Sequence, residues 1–260
     1  RKTKVVSTLG PACDDEATLT AMCRAGMNVA RLNFSHGVHE DHLRRIVMIR
    51  KVREKLGLPI AILLDTKGPE YRIKTFRDGK VTLKDGDRFT FTTDDVVGDD
   101  TKVSVNYREL AHDLEPGDTI LLSNGLLSFR VEEVEGADIH CTVLIGGELS
   151  DRKSMSFPGK VLHQVYLSEQ DKDDIRFGLE NGVDFIACSF VSCRQDLVDV
   201  KNFLRECGDE GTELIAKIEN RAGVDNINEI CEVCEGIMVA RGDLGVDRAA
   251  LDLLRGHLGE

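Results

Sequence analysis

Residues 59–68, PIAILLDTKG, decide how this chain is read: the apolar run Ile60 to Leu64 passes straight into a polar, glycine-ended tail. A short apolar run closed by turn residues marks a strand buried on both faces, as in a parallel sheet. The same shape stands upstream as TKVVSTLG (3–10) and NVARLNFSHG (28–37), each followed by an amphipathic stretch. It returns downstream as DFIACSFV (184–191), ELIAKIEN (213–220) and GIMVARGDLG (236–245). Strands alternating with helical patterns are βα units, so the sequence predicts about six of them in an α/β, TIM-type barrel that is two units short of closure. Between the third and fourth unit, from about residue 70 to 157, the period changes to two: KVTLKDGDRFTF, TKVSV and DTILLSNGLLSFRVEEVEGADIHCTVL read as hairpins. Asp85-Gly86, Asn124-Gly125 and Glu135-Gly136 are their turn signals. The expected organisation is a first barrel part over 1–69, an inserted β-rich domain over 70–157, and a second barrel part over 158–260.

Helix signals agree. Ser168 to Asp171 resembles a capping box opening a helix that Gly182 stops. The basic stretch RRIVMIRKVREKLG (44–57) reads as a solvated amphipathic helix with Ile46, Val47, Ile49 and Val52 inward, in preference to a nucleic-acid patch.

Composition narrows the partners. With 46 acidic against 34 basic side chains the formal charge is −12, which works against nucleic acid or an anionic membrane as the main partner. An anionic ligand must find a locally positive pocket. Apolar runs are too short to cross a bilayer, and the basic start leads into Gly10-Pro11, so a cytoplasmic location is expected. The absence of tryptophan and a 5% aromatic content remove the stacking platforms of a single-strand binder. Eight cysteines scattered through apolar segments read as reduced thiols; Cys231-x-x-Cys234 has redox or zinc spacing but no second pair or nearby histidine, and reads as part of a helix face.

Polar residues sit at the carboxyl ends of five of the predicted strands: Arg31, Asn33, Ser35 and His36; Asp65, Thr66 and Lys67; Ser189; Lys217, Glu219 and Asn220; Arg241, Gly242 and Asp243. In a parallel barrel these ends share one face, where active sites form. Glu219 and Asp243 are hard oxygen donors suited to Mg²⁺, which takes one or two carboxylates plus substrate oxygens and water. Lys217, two residues before Glu219 on one strand, projects to the same side and puts an ammonium beside the metal. Arg31 offers a planar fork for phosphate or carboxylate. The substrate class is a small phosphorylated or carboxylated anion.

TKVVSTLGPA, MNVARLNFSHG, ILLDTKGPEYR, LSEQDKDDIRFGLENGVDFIACSFV, LIAKIENRAGVDNINEI and GIMVARGDLGV occur in this order across nearly all of residues 2–246. In them the chain resembles the pyruvate kinase family, whose mobile B domain likewise interrupts its barrel after the third strand. The resemblance implies phosphoryl transfer from phosphoenolpyruvate to ADP, giving ATP and pyruvate, with Mg²⁺ or Mn²⁺ and K⁺ as cofactors. It implies Lys217 stabilising charge on the phosphoryl group and enolate, Glu219 and Asp243 holding the divalent ion, and Arg31 clamping phosphate. It further implies the backbone at Gly242 and Asp243 meeting the substrate carboxylate, and Asn33, Ser35, Asp65 and Thr66 forming a K⁺ site, Asn33 also lying at the nucleotide. Glu70 stands where K⁺-requiring members carry glutamate. Arg72 and Lys153 would reach the nucleotide phosphates, and the intact protein would be a homo-oligomer, a tetramer.

Two departures stand out. Ser123-Asn124 replaces an acidic pair of the family's B domain. After Val246 the pattern stops, and DRAALDLLRGHLGE reads as an amphipathic helix with Leu251, Leu254 and Leu258 on one face, without the family's last two barrel strands, a substrate-contacting threonine or its C-terminal domain. A truncated chain is expected. The competing readings are a non-catalytic metal- and anion-binding module that needs a partner or the missing part, and another Mg²⁺-dependent barrel lyase acting on an enolate.

Overall fold

In the computed structural model the described residues are 2–123, 125–158, 160, 162, 165–244 and 256, with Asp243 described by its backbone alone. The chain starts with β1 (Val5–Thr8), a 3₁₀ turn at Pro11–Cys13, α1 (Glu16–Ala25), β2 (Met27–Asn33), α2 (His39–Leu56) and β3 (Ala61–Asp65). There follow β4 (Lys80–Leu83), β5 (Arg88–Thr92), β6 (Lys102–Ser104), the one-turn α3 (Leu110–Asp113), β7 (Thr119–Leu122), β8 (Leu127–Glu135), β9 (Asp138–Ile145), β10 (Gly147–Ser150) and β11 (Met155–Ser156). The βα rhythm then resumes with α4 (Glu169–Glu180), β12 (Phe185–Cys188), α5 (Arg194–Glu206), β13 (Glu213–Ile218), α6 (Arg221–Asp225), α7 (Ile227–Cys231), β14 (Gly236–Val239) and α8 (Arg241–Leu244).

Two compact units result: the first comprises 1–68, 166–218 and 226–239, the second 69–165, 219–225 and 240–260. In the first, one six-stranded sheet runs in the order β1-β2-β3-β12-β13-β14, and every neighbouring pair is parallel. This is the incomplete α/β barrel anticipated from the repeated apolar runs. Parallel neighbours put all carboxyl ends at one edge of the sheet. Along β2 and β13 burial alternates, with Ala30 and Leu32, and Leu214, Ala216 and Ile218, fully buried while Arg31 and Asn33 are half-buried. Successive side chains leave opposite faces, so Arg31 shares a face with Asn33, and Lys217 lies opposite the apolar set on β13. As the first edge strand, β1 leaves Val5 and Val6 exposed.

The helices begin and end where local chemistry directs. Asp15 accepts from Thr18 N at 2.8 Å to cap α1, and Gly26 ends it with φ 112°, a left-handed conformation glycine adopts without penalty. Ser168 Oγ accepts from Asp171 N at 3.1 Å, the cap expected of α4, and Gly182 follows with φ 55°. In α2 the buried face is His42, Arg45, Ile46, Ile49 and Val52. Val47 corrects the expected face: it is exposed, because its position falls outside the i, i+3, i+7 stripe that packs on the sheet. The Cys231-x-x-Cys234 reading also changes, since α7 ends at Cys231 and Cys234 lies beyond it. All eight cysteines are free thiols. The stretch proposed as a terminal amphipathic helix, with Leu251, Leu254 and Leu258, lies outside the described residues.

The second unit is β-rich. Its larger sheet runs β11-β7-β8-β9-β5-β6, and a two-stranded sheet joins β10 to β4. The Phe89, Phe91 and Phe129 rings meet at centroid distances of 5.1 to 5.9 Å in its core. β7 pairs antiparallel with β8 and β8 with β9, the latter across the turn at Glu135-Gly136; Asn124 lies outside the described residues. Asp85-Gly86 does not close a hairpin, because β4 pairs with β10 and β5 with β9. No helix among the described residues is long and apolar enough to cross a membrane.

Candidate functional site

The carboxyl edge of the parallel sheet gathers charge around one carboxylate. Asp65, the last residue of β3, is fully buried. Its Oδ2 accepts from the Arg31 guanidinium through Nε and an Nη, and its Oδ1 stands 3.0 Å from Lys217 Nζ. Pairing sets this geometry: β2 opposes β3 with Arg31 beside Leu63 and Asn33 beside Asp65, while β12 brings Ala187 beside Asp65 and β13 brings Ala216 beside Cys188. Arg31 Nη1 also donates to Thr8 Oγ1 at 2.6 Å, so the ends of the two flanking strands, β1 and β3, hold the guanidinium. A fork bound at two points keeps its remaining N–H groups directed along one plane, the arrangement that recognises an oxyanion.

Lys217 is 8% exposed, and a buried ammonium needs compensating acceptors. It has Asp65 and, at 2.7 Å, Ser189 Oγ. Thr66, next in the chain after Asp65, is tied to the same place: its N donates to Ala187 O at 3.0 Å and its Oγ1 accepts from Ser189 N at 3.1 Å. At the end of β2 the Asn33 side chain accepts from Ser35 N at 3.0 Å, an Asx turn that folds Ser35 back beside Asn33. The loop after β3 is held from α4, where Asp171 Oδ1 accepts from Gly68 N at 3.0 Å and Oδ2 accepts from Ser168 Oγ at 2.6 Å. Gly68 has φ +66°, and a Cβ there would stand 2.7 Å from Ser189 O, so two site loops pass too closely for a side chain. Beneath this floor, burial pushes the Cys188 thiol up, with the Asp171 and Asp65 carboxylates adding to the effect. It stays a neutral, inert packing group.

Of the residues marked by the sequence, the structure therefore brings together Arg31, Asp65, Thr66 and Lys217, with Asn33 and Ser35 at the next strand end. Glu219 directly follows β13, is buried, and belongs with residues 220–225 to the second unit. Gly242 lies exposed in the single turn α8, and the Asp243 side chain is outside the described set. Among the described residues no three His, Cys, Asp or Glu side chains gather into a metal cage. In the second unit Arg72 and Lys153 come together: Arg72 bridges Ser154 across antiparallel backbone, and Ile73 N donates to Lys153 O at 3.1 Å. Arg72 also pairs with Glu70 and donates to Arg152 O at 2.6 Å. Ser123 takes φ 53°, and its buried hydroxyl has no hydrogen-bond partner among the described residues; Asn124 lies outside them.

Sequence reasoning missed the role of Asp65 as the common counter-ion of both cations. It also missed Thr8 and Tyr166, whose OH donates to Ser189 O at 2.7 Å. A threonine ending the first strand was a readable signal for Thr8. Tyr166 stands in no motif and had none.

A family model described as the pyruvate kinase barrel domain matches residues 1–255. A pyruvate kinase of Clostridium perfringens is 45% identical over 248 residues, covering 95% of this chain and 52% of that protein. One of Staphylococcus saprophyticus is 46% identical over 249 residues, 95% of this chain and 42% of that protein. The crystal structure of a pyruvate kinase from Cryptosporidium parvum aligns with TM-score 0.93 and 35% identity over 99% of this chain and 55% of that one. The chain spans about half the length of the curated relatives it matches.

Proposed function

The chain belongs to the pyruvate kinase family, and from that membership and the charge arrangement at the sheet edge we infer that the protein carrying it transfers a phosphoryl group from phosphoenolpyruvate to ADP. The observation that bears most weight is the buried Lys217 ammonium facing the Arg31 guanidinium across Asp65. Phosphoryl transfer asks little covalent chemistry of a protein and a great deal of positioning and charge stabilisation. In this reading Arg31, already oriented from Thr8 and Asp65, binds the phosphate, and Lys217 meets the negative charge that grows on the bridging oxygen and the enolate. A cation in a dry site has a larger effect there than in water.

The donor chemistry fits the cofactors the family calls for. Glu219 offers a buried carboxylate, and with Asp243 it would supply the oxygen donors that Mg²⁺ takes beside water and substrate oxygens. Mn²⁺ accepts the same donors. A divalent ion held there supplies Lewis-acid stabilisation and a template for the phosphate oxygens. Asn33, Ser35, Asp65 and Thr66 are all oxygen donors, as a K⁺ site requires, and Glu70 accompanies them in the K⁺-requiring pattern. The substrate carboxylate would meet the backbone at Gly242 and Asp243. Arg72 and Lys153 would take the nucleotide phosphates, with residues 70–157 acting as the lid domain and 1–69 and 158–260 as barrel. Free thiols at all eight cysteines suit a reducing compartment such as the cytoplasm.

The test is ADP-dependent pyruvate formation by the full-length protein with Mg²⁺ and K⁺, beside Lys217→Met. Loss of about a thousandfold or more in kcat is expected, the scale of removing a principal charge stabiliser. A variant as active as the parent would overturn the assignment.

A further inference from the structure

Ser189 directly follows β12, the fourth strand of the sheet, is 1% exposed, and makes more polar contacts than its single hydroxyl and backbone would need for packing alone. Its Oγ receives a hydrogen bond from Lys217 Nζ at 2.7 Å. A hydroxyl has one proton to give, and here that proton has two acceptors within reach, Thr66 O at 2.6 Å and Asp65 Oδ1 at 3.1 Å. Its backbone is fixed from both sides, by Thr66 Oγ1 at 3.1 Å from the amide and by the Tyr166 hydroxyl at 2.7 Å from the carbonyl. Gly68, whose φ of +66° leaves no room for a Cβ against Ser189, lets the two loops close to this distance.

We propose that Ser189 is a positioning residue that sets the place of the Lys217 ammonium and couples it to the monovalent-cation residues Asp65 and Thr66. The inference rests on the reading of Lys217 and of that cation site given above. Lys217 carries a flexible four-carbon stem, so a point charge at its end is only as well placed as its acceptors. One of these, Asp65, is shared with Arg31, and a cation drawing on the Asp65 carboxylate would weaken its hold on Lys217. Ser189 supplies a neutral acceptor beside it. Because its own proton goes to Thr66 or Asp65, a change at Thr66 reaches the ammonium through the Ser189 oxygen, and one at Asp65 reaches it both directly and by that route.

The test uses the full-length protein with Ser189→Ala, Lys217→Ala and the double variant. A hydrogen bond to a charged group corresponds to about ten- to a hundredfold in rate. Ser189→Ala should therefore lower kcat by about that factor, with the KM for ADP within about twofold and the K⁺ concentration for half-activation raised about threefold or more. In the Lys217→Ala background the same exchange should change the residual rate by less than about twofold, because the residue acts through a group already gone. A merely structural serine would lower both backgrounds equally, and that additivity overturns the proposal. So does a Ser189→Ala enzyme with kcat and K⁺ response within about twofold of the parent while Lys217→Ala is inactive. An active Lys217→Ala enzyme refutes the assignment of function itself. Should the alanine chain fail to fold, Ser189→Cys, which keeps the volume but only a weak donor and acceptor, carries the same comparisons.

Discussion

Asp65→Asn isolates what holds the sheet edge together. The carboxylate is fully buried, with Oδ1 3.0 Å from the Lys217 ammonium and Oδ2 on Arg31. At an effective dielectric of about 20, attraction between unit charges at that distance is about 5 kcal/mol, part of which the loss of hydration offsets. Taking away one partner of a buried pair costs about 3–5 kcal/mol, since the other charge is left behind. Here two cations are stranded and repel each other. Solvent screens Arg31, whose side chain is 24% exposed, so the Lys217 contact carries most of the loss. Lys217→Met is the informative contrast. It leaves Asp65 still paired with Arg31 and still near Ser189, so about 1–3 kcal/mol is expected. At about 2–4 °C per kcal/mol for a domain of this size, Asp65→Asn should melt about 10 °C lower, and Lys217→Met by about half as much. The chain has no tryptophan. Far-UV circular dichroism is the suitable probe, because the longer helices α1, α2, α4 and α5 all belong to the first unit. The ordering of the two variants decides the matter: if Lys217→Met is the more damaging, Asp65 is not the shared anchor of the two cations.

Three further outcomes follow from the same contacts. Gly68→Ala should cost about 1–3 kcal/mol through left-handed backbone and the clash with Ser189, whereas Gly208→Ala, with φ +78° but open space, should cost only about 1 kcal/mol; equal melting points would refute the close approach. His42 is buried against Phe34 at 3.9 Å between centroids, donates from Nε2 to His36 O, and is faced by Arg45, Asp174 and His39; burial holds its pKa below the ordinary 6.5. The unfolded chain then takes up the proton first, so this stability is present above pH 6.5 and lost as pH falls through it, and His42→Gln should flatten that slope in urea titrations between about pH 5 and 8. With iodoacetamide, exposed Cys207 and Cys231 should alkylate first, and Cys141, buried and with its thiol pushed up to about 12, among the last; peptide mass mapping that found early label on Cys141 would contradict the β-rich core.

Strands were legible because burial on both faces of a parallel sheet leaves an unmistakable apolar run, as in Ile60 to Leu64, and because caps such as Ser168 act over three or four residues. Pairing was less so. Asp85-Gly86 has the chemistry of a two-residue hairpin, yet β4 leaves its sequence neighbour for β10, sixty-odd residues on, and nothing local encodes that choice. Val47 failed for a related reason, since in a helix with hydrophobic residues at successive positions the sheet it packs on selects which of them turns inward.

Within the site, residue types could be read but the bonds between them could not. A polar residue at a strand end announces that it faces the open edge of the sheet; whether it will bind a ligand or a neighbour depends on strand order. Asp65 was legible as an oxygen donor for a cation, and the structure adds that β2 and β13, distant in sequence, deliver a guanidinium and an ammonium to its two oxygens. The same topology explains Ser189. Between β3 and β13 lies β12, so the residue that directly follows that strand sits between Asp65 and Lys217. An apolar residue there would take the hydroxyl acceptor from Lys217 and leave Thr66 O without the hydroxyl that donates to it. A carboxylate would add a second anion beside Asp65. A small neutral hydroxyl satisfies the ammonium without cancelling its charge, and strand order, not the motif around residue 189, makes that choice consequential.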